Sequence, residues 1–240
     1  MISASANAAA STVWKEAMLL RVFGRDYPPS PAQEEVFFRT TPGNELRELA
    51  QAVINDALVA ADLEPDELRV GSFWTRVGKT RVAGVGGSRA TPRELVRWLL
   101  RLEQGRLVDA WSSLEMKRYL YMTKRRYRYV YASELADAAV YFKSGSLYRC
   151  RHEEGFKCGK YMGNLENAMN SVVIIESPAK ATPGQKRYLV ALTSDVRKVN
   201  SAWDHARLGA AIEELIRKRQ AVEVREAGNQ ADIKDAGRSE

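Results

Sequence analysis

The hydrophobic periodicity of this chain changes once, from a helical to an extended pattern, and no other feature restricts the fold as strongly. Apolar residues recur at spacings of three and four through much of residues 3–122. Short apolar runs follow between residues 139 and 194, and another helical pattern lies after them. Helices first, antiparallel strands next and a terminal helix last predict an α+β fold.

Individual elements follow from the same pattern. Helices are expected at residues 3–21, 45–63, 92–104, 110–122 and 202–220, and strands at 139–142, 172–176 and 187–194. The last two strands should form a hairpin, because the eight residues 177–184 between them contain two prolines and a glycine. Residues 71–90 contain five glycines and no acidic residue, which predicts a long loop.

The helix expected to begin at Pro92 has the clearest start signal. Thr91 is suited to cap it, Pro92 fits the first helical position and Glu94 fits the third. The pattern as a whole predicts a mainly helical part over residues 1–135 and a sheet with its terminal helix over 136–222. Residues 223–240 are polar and are expected to form a mobile tail.

Composition limits the classes of function. The chain has 37 Lys and Arg against 30 Asp and Glu, a net charge of +7 that favours anionic ligands. Its 45% hydrophobic content predicts a packed core and argues against wholesale disorder. The longest apolar runs are far shorter than the roughly 18 residues of a membrane-spanning helix. Residues 1–11 lack a basic leader and an apolar stretch, so no export signal is expected in this chain.

Two short motifs gain meaning from their order. Ser5-Ala6-Asn7 lies at the start of an Ala-rich helix, and Lys143-Ser144-Gly145 lies on a predicted strand. With the Thr91-Pro92-Arg93-Glu94 helix start between them, the chain resembles the penicillin-recognising serine hydrolases, which include serine β-lactamases and penicillin-binding transpeptidases. The resemblance covers most of the chain. It implies an antiparallel sheet flanked by a C-terminal helix, with an all-helical subdomain.

The resemblance also implies catalytic roles in an acyl transfer on β-lactam or cell-wall peptide substrates. Ser5 would relay a proton, and Lys143 would hold Ser5 in a polarised network while its charge faces the substrate carboxylate. Asn7 would form a hydrogen bond with the amide side chain of the substrate. No cofactor and no metal are implied, and the expected partner is a small molecule or peptide that carries a carboxylate.

Three further residues would bind the substrate by the same resemblance. The Ser144 hydroxyl would bind the carboxylate, and the backbone N–H of Ser146 would be one of two donors to the oxyanion. Gly145 would let the substrate backbone approach the strand closely. The family also implies a periplasmic or secreted location.

The departures from the family pattern are as informative as the matches. The family places a Ser-x-x-Lys nucleophile before the Ser-x-Asn motif, but the one such motif here is Ser177-Pro178-Ala179-Lys180, in the predicted hairpin loop. We therefore expect that the N-terminal nucleophile segment is missing and that the chain is truncated or inactive. Class A β-lactamases use a glutamate in the loop before the Thr-Pro helix for deacylation, and residues 71–90 contain none.

Two other readings remain open. Ser5 and Asn7 are also common helix caps, and Lys143 is also typical of a solvated strand end. Cations and tyrosines interleave between residues 117 and 129, a composition that suits a nucleic-acid-binding module: Lys117, Arg118, Tyr119, Tyr121, Lys124, Arg125, Arg126, Tyr127, Arg128 and Tyr129. A solvated helix face with tyrosines packed on the core fits that segment better, so nucleic acid is not expected. A third candidate is a non-catalytic scaffold that binds peptidoglycan-like peptides.

The two cysteines and the C-terminal histidine have structural interpretations. Cys150 and Cys158 flank a turn-like stretch with Gly155, which predicts a cross-strand disulfide with Cα atoms about 4.4 to 6.8 Å apart. His152 is the one imidazole near the two cysteines, so there are too few ligands for a zinc site. His205 is expected at the surface or partly buried.

The family reading makes one geometric prediction that the capping alternative does not. The Ser5 hydroxyl should lie about 2.6 to 3.2 Å from the Lys143 ammonium. The cleft around this pair should also receive Asn7 and the backbone N–H of Ser146. One wall of the cleft should be open and expose apolar surface, because no nucleophile helix is present to cover it.

Overall fold

The computed structural model describes residues 1–178 and 185–236, with side chains described as far as residue 223. Its helices are α1 (Asn7–Phe23), α2 (Pro31–Thr40), α3 (Gly43–Ala60), α4 (Arg76–Arg81), α5 (Pro92–Glu103), α6 (Ala110–Tyr121) and α7 (Ser201–Ala236). Its strands are β1 (Leu68–Arg69), β2 (Arg89–Ala90), β3 (Ala139–Arg149), β4 (Glu166–Ser177) and β5 (Lys186–Asp195). Short 3-10 turns lie at Gly24–Asp26, Arg126–Arg128 and Ser133–Leu135. The predicted α+β class is confirmed.

The helix start predicted at Thr91 is present. The Thr91 hydroxyl accepts a hydrogen bond from the Glu94 backbone N–H at 3.2 Å. The Glu94 side chain is fully buried, and its carboxylate accepts from the Glu64 backbone N–H at 2.8 Å and from Arg97 at 3.2 Å. This buried carboxylate ties the start of α5 to the chain that follows α3.

Residues 71–90 are not a single loop, contrary to the prediction. Thr75 caps α4 by accepting from the Gly78 N–H at 3.1 Å, and β2 pairs with β1 in a two-stranded antiparallel ribbon. A Cβ on Gly71 would lie 2.2 Å from the Gly86 carbonyl oxygen. The glycines therefore permit a close approach between two backbone segments, and their abundance is not a sign of disorder.

The main sheet has three antiparallel strands in the order β3-β4-β5. Alternate side chains point to opposite faces. One face packs on α5 and α6 through Tyr141, Val172, Ile174 and Leu189. The other face packs on α7 through Val140, Phe142, Val173, Ile175 and Val190. The sheet is thus a central layer between helices, and β3 lies at one edge of it.

A second core holds the N-terminal helices together. Trp14 of α1 stacks on Phe73 with ring centroids 4.3 Å apart, and its indole N–H donates to the Ala50 carbonyl of α3 at 2.8 Å. Met18 and Leu46 are buried beside them. This core fixes the direction in which α1 leaves the Ser5 motif.

Helix α7 is longer than predicted. It has 36 residues and reaches Ala236, whereas the sequence pattern predicted an end near Gln220 and a mobile tail. The added segment contains good helix formers and no proline, so the polar composition that suggested a tail is also compatible with an exposed helix. The hairpin between β4 and β5 is present, but residues 179–184 of its loop lie outside the described residues.

The predicted disulfide is present, but it lies at a different place in the fold from the one expected. Cys150 and Cys158 are bonded with Cα atoms 6.2 Å apart, inside the predicted range. Cys150 follows β3, whereas Cys158 lies in the connection before β4. The bridge therefore closes this connection on itself and does not join two strands. Gly155, with a φ of +74°, provides the turn between the two cysteines.

No helix within the described residues is both long enough and apolar enough to cross a membrane.

Candidate functional site

The two motifs meet in space. The Lys143 ammonium donates to the Ser5 hydroxyl at 2.8 Å, although the two residues are 138 positions apart in the sequence. Lys143 also donates to the Ser144 carbonyl oxygen at 2.6 Å. The predicted distance is confirmed, and a strand-end lysine surrounded by solvent is not what the structure shows.

A turn before α1 carries Ser5 to this position. The Ser5 N–H donates to the Ile2 carbonyl at 3.1 Å, and the Lys124 N–H donates to the Ser3 carbonyl at 2.9 Å. Ser5 itself has a φ of +53°, a left-handed conformation that non-glycine residues adopt rarely and mostly where the surroundings impose it. The N-cap of α1 is Ala6, and no side chain caps it. The capping alternative for Ser5 and Asn7 is therefore wrong.

Lys143 projects from the edge strand β3 into the space between the sheet and the helical part. It lies opposite Val172 in the register of β3 and β4, on the face that packs against α5 and α6. Burial lowers the pKa of Lys143 to about 8, and the positive charges of Arg128 and Arg125 add to this effect. Its partners among the described residues are a hydroxyl and a carbonyl oxygen, and neither is a carboxylate.

Ser5, Asn7 and Lys143 line one cleft with a volume of about 470 Å³. Asn7 is the first residue of α1, and its side chain is exposed. The remaining lining is mostly apolar: Met1, Ile2, Ala6, Ala10, Ile54, Leu58, Leu68, Val70, Trp74, Leu95, Trp98, Leu120 and Val172. Trp74 is 41% exposed. The structure thus shows the open apolar surface that the sequence led us to expect beside the polar pair.

Ser144 and Ser146 are not among the residues that line this cleft. They lie on the face of β3 opposite Lys143, beside an arginine that sequence reasoning did not assign to the site. Arg128 donates to the Ser144 hydroxyl at 2.9 Å and to the Ser146 hydroxyl at 3.2 Å. Both hydroxyl oxygens act as acceptors in these contacts. Each keeps its own proton for donation to another group.

Gly145 is exposed between them. A Cβ built on Gly145 would meet no protein atom within 4 Å. The fold itself therefore does not require glycine at this position, and the space beside the strand is open to a ligand.

Arg128 belongs to a buried polar cluster. Its guanidinium donates to the Tyr161 hydroxyl at 2.7 Å, and the hydroxyls of Tyr161 and Tyr127 are 2.8 Å apart. Arg128 is only 4% exposed, and its Nε has no hydrogen-bond partner. No carboxylate of the described residues pairs with this guanidinium, which is unusual because an unpaired buried charge is costly.

The basic, tyrosine-rich segment does not form a continuous surface. Lys117 pairs with Glu103 at 2.9 Å and with Glu176 at 2.8 Å, and Arg118 pairs with Glu115 at 2.9 Å. Arg128 and Tyr129 are buried. The local composition could not reveal this, because the chain turns through a 3-10 helix at Arg126–Arg128 and sends one cation inward.

Two other sequence candidates lie away from the cleft. Ser177 is buried at the end of β4 and donates to Glu213 at 2.8 Å, while Lys180 lies outside the described residues. His205 is fully buried, contrary to the prediction of a surface or partly buried residue. Its two ring nitrogens lie 2.8 Å from the Ser171 hydroxyl and 2.9 Å from that of Ser194, so it joins α7 to the sheet.

A comparison with protein families covers the second of the two motifs and not the first. The Beta-lactamase enzyme family matches residues 45–157, a segment that contains the Thr91 helix start and the Lys143-Ser144-Gly145 strand. A search of curated proteins finds no match.

Solved structures give fold likenesses at low identity. "Structure of PBP-A" is 14% identical and covers 71% of this chain and 54% of its own, with a TM-score of 0.46. A β-lactamase from Sphaerobacter thermophilus is 16% identical, with 75% and 57% coverage and a TM-score of 0.46. A variant of the class A β-lactamase of the last common ancestor of Gram-negative bacteria is 15% identical, with 88% and 83% coverage and a TM-score of 0.49. The chain spans little more than half the length of the first two.

The chain thus combines an α+β fold with a Ser-x-Asn turn that meets a Lys-Ser-Gly edge strand. The family model supports the predicted resemblance to the penicillin-recognising serine hydrolase superfamily.

Proposed function

We propose that this chain forms the substrate-recognition and proton-relay part of a serine acyl-transfer site. The substrates would be β-lactams or cell-wall peptides that carry a carboxylate. The observation that supports this most strongly is the 2.8 Å contact from Lys143 to Ser5, which joins two motifs that are 138 residues apart. A structural helix cap would give no reason for that contact.

Proton relay follows from the direction of this hydrogen bond. Since the Ser5 oxygen accepts from Lys143, the Ser5 proton is free for donation to the leaving nitrogen of a substrate. Lys143 then resupplies that proton. A lysine pKa of about 8 suits this task, because both the charged and the neutral form are accessible near neutral pH.

Recognition of the carboxylate would use the same strand. Lys143 has one N–H beyond those given to Ser5 and Ser144, and the hydroxyls of Ser144 and Ser146 can donate because their oxygens accept from Arg128. Arg128 adds positive charge behind these hydroxyls. An anion at the edge of β3 would receive donors from Lys143 on one face of the strand and from Ser144 and Ser146 on the other.

Asn7, Gly145 and the backbone of Ser146 complete the proposal. Asn7 lines the cleft beside Ser5 and would bind the amide side chain of the substrate. The open space beside Gly145 would admit the substrate backbone, and the Ser146 N–H would contribute to the oxyanion site.

The nucleophile is a separate requirement. The 240 residues contain Ser-x-x-Lys only at Ser177, and Ser177 is buried against Glu213. The apolar wall of the cleft would accept the apolar face of a nucleophile-bearing helix, which would bring its hydroxyl beside Ser5 and Lys143. We therefore propose that the chain by itself binds such substrates without being acylated by them.

Two further proposals concern organisation and location. Residues 1–135 and 136–222 would act as two parts that enclose the cleft between them, with residues 223–240 outside the functional unit. The disulfide Cys150–Cys158 favours an oxidising compartment, which for this family means the periplasm or the exterior of the cell.

Two measurements test the proposed function. Incubation with a fluorescent penicillin followed by denaturing electrophoresis should give no covalent adduct. Calorimetric titration with benzylpenicillin should show reversible binding that Lys143→Met abolishes and that Lys79→Met, on the exposed face of α4, leaves unchanged. Binding that survives Lys143→Met would refute the proposed role of the strand.

A further inference from the structure

The connection between β3 and β4, residues 150–165, carries one tyrosine into the interior. Tyr161 is 5% exposed and has a φ of +63°, a backbone conformation that is unfavourable for a bulky side chain. The Ser201 N–H at the start of α7 donates to the Tyr161 carbonyl at 3.0 Å. The disulfide Cys150–Cys158 closes the first half of the same connection. Several constraints thus hold this side chain in place.

The Tyr161 hydroxyl contacts the Arg128 guanidinium. It accepts a hydrogen bond from the guanidinium at 2.7 Å, and the ring centroid lies 4.6 Å from the guanidinium carbon. The same terminal nitrogen of Arg128 donates to Ser146. Because one nitrogen donates to both hydroxyls, the contact with Tyr161 restricts the position from which Arg128 can reach Ser146.

We propose that Tyr161 is a positioning residue that aims Arg128 at the Ser144 and Ser146 hydroxyls and thereby sets the affinity of the β3 edge for a carboxylate. This inference rests on the proposed function for the identity of the anion. It adds a residue from outside both sequence motifs, and it assigns the β3–β4 connection a role in binding.

Charged and titratable groups surround Tyr161 on several sides. Arg128 faces it from the 3-10 turn and Tyr127 lies beside Arg128, while Lys160 of its own connection has its ammonium 5.1 Å from the ring centroid. Arg125 is close enough to interact with it, and Tyr148 of β3 packs edge-on at 5.9 Å between ring centroids. No carboxylate is among these neighbours.

This environment makes the proposal sensitive to pH. Burial alone would raise the pKa of Tyr161, but hydrogen bonds with Tyr127 and Arg128 and the positive charges of Arg128 and Lys160 lower it to about 8. Below that pH the neutral hydroxyl leaves the charge of Arg128 available to a ligand. Above it, the phenolate neutralises Arg128 and competes with the carboxylate. Affinity should therefore fall as the pH rises through 8, in addition to the fall caused by deprotonation of Lys143.

The test compares the wild type with Tyr161→Phe, which keeps the ring and removes the hydroxyl. Binding of N-acetyl-D-alanyl-D-alanine would be measured by calorimetry from about pH 6 to about pH 10. Near neutral pH the variant should bind about 5- to 10-fold more weakly, since one charge-assisted hydrogen bond to Arg128 is lost. The ratio of affinities should approach one at alkaline pH, where wild-type Tyr161 is ionised. A ratio that does not change with pH would overturn the inference, because a merely structural defect predicts that result.

Tyr148→Phe is the matched control, since its ring touches Tyr161 and its hydroxyl makes no hydrogen bond to Arg128. It should bind the dipeptide like the wild type.

Ultraviolet titration of tyrosine ionisation gives a readout without any ligand. One tyrosine should ionise near pH 8 in the wild type, be absent from the titration of Tyr161→Phe, and shift to higher pH in Arg128→Met. If the wild type binds no dipeptide, the proposed function fails, and this titration still decides the contact. If the same tyrosine still ionised near pH 8 in Arg128→Met, the proposed contact between Arg128 and Tyr161 would be refuted.

Discussion

Two buried charged side chains in this protein, Glu213 and Arg128, differ in whether their partners are oppositely charged. Glu213 of α7 is fully buried and accepts hydrogen bonds from Ser177 at 2.8 Å and from Arg217 at 2.7 Å, and it also contacts Tyr188. Lys186 lies 3.5 Å away. The charge of Glu213 is thus neutralised within the protein.

Arg128 is buried nearly as deeply, but its hydrogen-bond partners are the hydroxyls of Ser144, Ser146 and Tyr161. Lys143 also has no carboxylate partner among the described residues, and it lies close enough to Arg128 for the two charges to interact. Removal of one partner from a buried ion pair is strongly destabilising, whereas buried charges without a counter-ion favour an anionic ligand. This comparison distinguishes the end of the sheet at Glu213 from the β3 edge, where we propose that the ligand binds.

The largest change in the free energy of unfolding is expected when the charge of Glu213 is removed. Glu213→Gln should lower the free energy of unfolding by about 3 kcal/mol, because Lys186 and Arg217 lose their anionic partner. Urea denaturation measures this. A change below about 0.5 kcal/mol would mean that the cluster around Glu213 is not structural.

Arg128→Met should behave differently. The variant avoids burying an unpaired charge but removes the Arg128 donor from Ser144 and Ser146, while the Tyr161 hydroxyl keeps its contact with Tyr127. The free energy of unfolding should therefore change by no more than about 1 kcal/mol. Benzylpenicillin binding should be lost in the same variant. If Arg128→Met were strongly destabilised and still bound the ligand, Arg128 would have a structural role and not the proposed binding role.

His205 provides a pH-dependent test on the structural side. Burial lowers the pKa of His205 below its usual value of 6.5. The unfolded chain therefore takes up a proton before the folded protein does, and the free energy of unfolding should decrease as the pH falls below about 6.5. The expected decrease is about 1 kcal/mol per pH unit until the folded form is also protonated. Denaturation at a series of pH values should show this slope in the wild type and not in His205→Gln.

Gly145→Ala should have the smallest effect on stability. No protein atom lies within 4 Å of the added carbon, so the free energy of unfolding should change by less than about 0.5 kcal/mol. Ligand affinity should nevertheless fall, since the methyl group would occupy the space beside the strand. Equal affinity in the variant and the wild type would show that the substrate does not approach Gly145.

The sequence predicted the elements whose signals are local. Thr91 and Pro92 start α5 as expected, and the order of the Ser5 and Lys143 motifs predicted their contact. Arg128 and Tyr161 could not be found in this way. Their roles depend on a 3-10 turn and a left-handed backbone angle that direct two side chains inward from polar segments.

His205 and α7 show the same limit in the structural part. His205 follows no apolar pattern that marks it as buried, and its place is set by Ser171 and Ser194 on two neighbouring strands. The length of α7 was underestimated because polar composition suits both an exposed helix and a tail.

The charge state of Lys143 tests the central claim most directly. Carbon NMR of the lysine side chains, with Lys143→Arg used to assign the signal, should show Lys143 titrating near pH 8, against 10.5 for an unperturbed lysine. Saturating benzylpenicillin should raise this pKa, because a bound carboxylate stabilises the ammonium form. A Lys143 that titrates near 10.5 and does not respond to the ligand would contradict both the burial of the ammonium beside Ser5 and its role in binding the substrate.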